Sequence, residues 1–73
     1  MNWVFLFTMD TITVAFYEDD LIGDPLYICE MISPPGIGED VSLPIKFGGT
    51  VIKVGWEITR DNEVYVSVTL KRY

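Results

Sequence analysis

Glu18, Asp19, Asp20 and Asp24 set four carboxylates within one short stretch, the density of oxygen donors that a hard cation such as calcium asks of a single loop. Their spacing does not follow the Asp-x-Asp-x-Asp-Gly order of a calcium loop. The run therefore reads as a solvated acidic loop, because blocks of like charge ordinarily face water. Glu39 and Asp40 add a second acidic point. Together Glu18, Asp19, Asp20, Asp24, Glu39 and Asp40 form the candidate acidic surface for a partner protein, and neither a metal nor a cofactor is expected.

Other chemistries lack their parts. The chain has no histidine, so the commonest neutral-pH base is missing, and with it Ser/His/Asp and Cys/His catalysis and histidine metal sites. Cys29 stands between Ile28 and Glu30 with no cation near it in sequence to lower its thiol pKa. A small core residue is the expected role. Gly36, Gly38, Gly48 and Gly49 are followed by no strand-to-helix junction and no Lys-Ser/Thr pair, so turn geometry rather than a phosphate cradle accounts for them. These absences predict a protein that is not an enzyme.

Charge is divided along the chain. Lys46, Lys53, Arg60, Lys71 and Arg72 are its five cations, and all follow residue 45, whereas residues 1–45 hold carboxylates only. The net charge of −6 repels nucleic-acid phosphates and anionic lipid and attracts cationic protein surfaces. The expected partner is a protein with a basic surface, with no direct nucleic-acid or membrane contact. A single cysteine allows no internal disulfide framework and favours a reducing, cytoplasmic location. The apolar run at residues 3–9 lacks a cationic leader and is followed at once by Asp10. It is read as a strand, and neither as a signal peptide nor as a membrane span.

The elements that must position these groups are strands. Ile52, Val54, Trp56 and Ile58 alternate with polar residues, as do Val64, Val66, Val68 and Leu70, which predicts two half-buried strands. A three-residue loop, Arg60-Asp61-Asn62, joins them if Thr59 pairs with Glu63 and Asn62 takes a left-handed conformation. Upstream, Val41, Leu43, Ile45 and Phe47 alternate with Ser42, Pro44 and Lys46, and Gly48-Gly49 signals a two-residue hairpin. That register puts Ile45 on Ile52, Leu43 on Val54, Val41 on Trp56 and Asp40 across from Glu57. Odd-numbered side chains of 41–47 and even-numbered ones of 52–58 and 64–70 then share one dry layer. Lys46, Val51, Lys53, Tyr65, Lys71 and Tyr73 fall on the opposite, outer face as a second candidate partner surface.

Trp3, Phe5, Phe7 and Met9 lead a first strand, Ile12, Val14 and Phe16 a second after a turn at Asp10-Thr11, and residues 25–32 a further one. Gly55 interrupts an otherwise regular strand, the mark of a bend or of a close approach by another backbone. No sustained helical period, repeat or linker is present. The fold class is all-β: a small single domain over residues 1–73, an antiparallel meander of five to six short strands closed as a rolled sheet or a small barrel.

Three functions fit these features. The first is a non-enzymatic interaction module that self-associates as a homo-oligomer or binds another protein through its apolar outer face and divided charge. The second is an inhibitor of the phage anti-defence type, whose carboxylates imitate nucleic-acid charge to block a DNA- or RNA-binding protein. The third is a barrel with a ligand cavity ringed by Trp3, Trp56 and Tyr27, disfavoured because six short strands enclose little space.

Overall fold

The computed structural model describes residues 10–19 and 23–73. The strand expected over residues 3–9, its Asp10-Thr11 hairpin and Asp20 thus fall wholly or partly outside the described residues. Within them the chain forms β1 (Ile12–Glu18), β2 (Tyr27–Met31), β3 (Asp40–Leu43), β4 (Phe47–Ile58) and β5 (Val64–Arg72). These make one curled half-barrel sheet in the order β2-β1-β5-β4-β3, with no helix among the described residues.

Three neighbouring pairs are antiparallel, and β1 runs parallel to β5 with Val14 beside Val66 and Phe16 beside Val68. The meander reading therefore holds for β3, β4 and β5. The seam to β1 is parallel, and it joins the two strands that lie farthest apart in the chain.

The core is the inner face of the curl. Val14, Phe16, Val66, Val68 and Leu70 are buried from β1 and β5, joined by Val51, Phe47 and Leu43. Tyr27, Cys29 and Met31 of β2 pack against them from one side, and Val41 and Val54 from the other. Alternation in β5 follows the sequence pattern closely, since Val66, Val68 and Leu70 are fully buried while Tyr65, Ser67 and Thr69 are half-buried on the far face.

The β4–β5 turn forms as its residues dictate. Thr59 N–H donates to the Glu63 carbonyl at 2.8 Å, Asn62 N–H to the Thr59 carbonyl at 3.0 Å, and Asn62 takes φ of 62°. The β3–β4 turn does not form at Gly48-Gly49. Leu43 pairs with Phe47 around Pro44-Ile45-Lys46, and Lys46 holds φ of 60°. Proline fixes the dihedral that the first corner of a type I turn needs, so Pro44 serves as a turn residue rather than as an edge-strand residue. Gly48 and Gly49 then lie inside β4, where a Cβ on Gly49 would stand 2.7 Å from the Lys71 carbonyl oxygen and one on Gly48 2.8 Å from the Tyr73 ring. Close approach of the Lys71 backbone requires glycine at position 49, and at position 48 the Tyr73 ring would have to shift for a larger residue.

A bulge completes the correction. Val54 faces Val68 and Lys53 faces Thr69, but Val51 faces Leu70, so Ile52 is the extra residue. One extra residue exchanges the two faces of a strand. Val51, expected on the outer face, is 1% exposed in the core, while Ile52 is 39% exposed. The expected pairs Ile45 with Ile52, Leu43 with Val54 and Val41 with Trp56 are absent. Asp40 lies across from Thr50 and accepts its hydroxyl at 3.0 Å, rather than facing Glu57.

Candidate functional site

The sheet disperses the acidic residues. Glu18 ends β1 and meets Arg72 at the end of β5, with Arg72 Nη2 3.1 Å and Nε 3.2 Å from its two carboxylate oxygens. The same guanidinium lies 4.4 Å from the centre of the Phe47 ring. Its pKa is raised because Glu18 accepts its hydrogen bonds. The parallel β1–β5 seam thus joins the anionic front of the chain to its cationic end, and the division of charge seen along the sequence is partly closed in space.

Asp19 is half-buried, with its N–H on the Leu70 carbonyl at 2.8 Å. Asp24 is exposed. The Glu39 carboxylate accepts the Gly36 N–H and so ties its own loop. Glu18, Glu39 and Asp40 are therefore each engaged locally.

The strip expected on the outer face forms in part. Lys53 pairs with Thr69, and Tyr65 with Glu57. Lys71 pairs with Thr50, and Tyr73 lies next to Gly48. Lys46 sits at the tip of the β3–β4 turn, away from this strip, and Val51 is gone from it. At the β1–β2 end of the same face, Glu30 accepts the hydroxyls of Thr13 at 2.6 Å and Thr11 at 2.9 Å. These bonds stabilise the carboxylate and hold the Glu30 pKa below its usual value. A cavity of about 350 Å³ is lined by Thr13, Ala15, Tyr17, Ile28, Glu63 and Tyr65 among others. It opens on the face opposite the core, so it is not a barrel interior ringed by Trp56 and Tyr27.

Chemically the surface is quiet. Cys29 is half-buried against the core, and burial, then the nearby Glu30 charge, push its thiol pKa up, which makes it a poor nucleophile. Among the described residues no three His, Cys, Asp or Glu side chains come together as a metal site. Also among them, no helix is long and apolar enough to cross a membrane.

The largest departure lies at the far end of β4. Trp56, expected in the dry layer, is 58% exposed, with Ile58 at 72% and Val64 at 45%. Ile58 pairs with Val64 and Trp56 with Val66, so the three residues form a contiguous apolar patch on the core side of the sheet. They extend beyond the buried rows because β3 pairs only with Phe47 to Thr50 of β4 and residues 38–39 reach no farther than Val51, leaving 52–58 unflanked on that edge among the described residues. Alternation alone says which face a residue takes, and it cannot say where that face stops being covered. One sequence signal existed: a long apolar-alternating strand beside one broken by Pro44 implies unequal lengths.

Fold and surface define a small all-β half-barrel with an exposed apolar end and, among the described residues, an open edge along β4. No protein family, curated protein or solved structure matches the chain.

Proposed function

We propose that this chain is a non-enzymatic, acidic protein-interaction module that docks a protein partner, another copy of itself included, on the apolar end of the β4–β5 hairpin. The observation that carries this reading is the exposed run of Trp56, Ile58 and Val64. Large aromatic and branched side chains left in water at one place are the usual composition of a binding patch. Lys53 and Glu57 are exposed on the reverse side of the same strand, so the apolar patch is backed by a polar face. The lone half-buried thiol of Cys29 is compatible with a reducing, cytoplasmic setting. The charge-mimic alternative draws less support, since Glu18, Glu39 and Asp40 are held by Arg72, Gly36 and Thr50 rather than offered as a free row.

Site-specific photo-crosslinking in cells tests this. A photoreactive residue at position 58 should give discrete protein adducts that Trp56→Ser abolishes, while one at exposed Ser42 should give none of them. Equal adducts from both positions, or none from position 58, would overturn the reading.

A further inference from the structure

We infer that two copies of this chain join edge to edge through β4, antiparallel about a two-fold axis at Gly55; this rests on the interaction-module reading and names the partner. The backbone supplies the first argument. Thr59 donates inward to Glu63, and hydrogen-bonded pairs alternate along an antiparallel ladder. Glu57, Gly55 and Lys53 thus turn their N–H and C=O toward β5, and Ile58, Trp56 and Val54 turn theirs to the outside. The corresponding groups of Val51 are taken, its carbonyl by Gly38 N–H at 2.8 Å and its N–H by the Glu39 carbonyl at 2.9 Å. Beyond Val51, no described strand pairs with that edge. A row of unpaired backbone groups is a template for another strand.

Charge selects the partner and the register. With the axis at Gly55, Lys53 stands opposite the partner's Glu57, and Glu57 opposite the partner's Lys53. Both are exposed on the outer face, in the kind of pair whose side chains come closest. On the other face, Trp56 stands opposite the partner's Val54 and Ile58 opposite the partner's Ile52, covering four side chains of which Ile52, Trp56 and Ile58 are exposed in the single chain. Val54 and the partner's Trp56 exchange the outward backbone hydrogen bonds. Moving the axis to Trp56 would set Lys53 against the partner's Thr59 and Glu57 against the partner's Gly55, losing both ion pairs. At the axis Gly55 meets its own copy with no side chain in the way.

Sedimentation across micromolar to near-millimolar concentration, with circular dichroism to verify folding, is the test. The unaltered chain should form a dimer. Lys53→Glu and Glu57→Lys should each weaken it about tenfold, because each sets two like-charge pairs across the axis. Mixing those two variants should restore association, since an all-acidic edge then meets an all-basic one. The double variant K53E/E57K should associate like the original. A monomer throughout, or a dimer indifferent to these exchanges, overturns the β4 pairing. Neither result touches adducts formed at position 58 with other proteins, so failure of this pairing is distinguishable from failure of the interaction-module reading.

Discussion

Two left-handed residues close the two hairpins that build β3, β4 and β5, and only one is of a type suited to it. Asn62 and Lys46 both sit near φ of 60°. Asparagine tolerates this region because its short polar side chain can hydrogen-bond locally, whereas at a lysine the close approach of Cβ to the following carbonyl oxygen costs roughly 1–2 kcal/mol. Lys46→Gly should therefore raise stability by a few tenths to about 1 kcal/mol, the gain being reduced by the added freedom of glycine in the unfolded chain. Thermal or urea unfolding measures it, and a loss of stability would contradict the turn geometry. Glu30 offers a pH test. Its folded pKa is lowered by Thr13 and then Thr11, so its contribution is present above the usual glutamate pKa and is lost as pH falls through the lower folded value. Replacing Thr13 with Val should move the Glu30 titration upward when followed by carbon NMR of its carboxylate. An unchanged titration would mean that the hydroxyl bond at 2.6 Å is not holding the anion.

Strand β4 shows how one inserted residue redistributes a whole surface. Above the bulge, Val54 points to the core; below it, Val51 does, and Ile52 is left exposed between them. A lysine at position 51 would have to bury its charge among Leu70, Phe47 and Leu43, at a cost of several kcal/mol. A domain of this size has only a few kcal/mol in reserve. Val51→Lys should unfold the protein, while Ile52→Lys should alter stability by less than about 0.5 kcal/mol, as ordinary surface substitutions do. The reverse outcome, a folded V51K and an unfolded I52K, would restore the unbroken alternation that the sequence suggests. Far-ultraviolet circular dichroism of the two variants decides between the registers.

For the molecule as a whole, net charge and the β1–β5 seam act against each other. A net charge of −6 self-repels in the compact state, and the exposed Glu18–Arg72 pair offsets only part of that, contributing at most about 1 kcal/mol. Raising salt from low to physiological strength screens both, but the repulsion among eleven acids is the larger sum. The unfolding midpoint should rise with salt over this range; a fall would mean that specific ion pairs dominate. Glu18→Gln should make little difference to that slope.

What the chain determines by local rules is visible in its residues. Alternation in 64–70 fixes a strand and its buried face, Arg60-Asp61-Asn62 fixes a turn, and the lack of histidine removes most catalytic designs. These depend on neighbours within a few positions, where sterics and side-chain period leave few choices. Tertiary contacts alone decided which of two plausible turns closes β3 on β4, since Gly49 lies inside β4 against the Lys71 backbone of β5. They also decided that β1 runs parallel to β5, that Ile52 bulges, and that Trp56 meets water. Each of these follows from which strands lie side by side and where each one ends, a matter of partners distant in sequence, and a two-residue period carries no record of them.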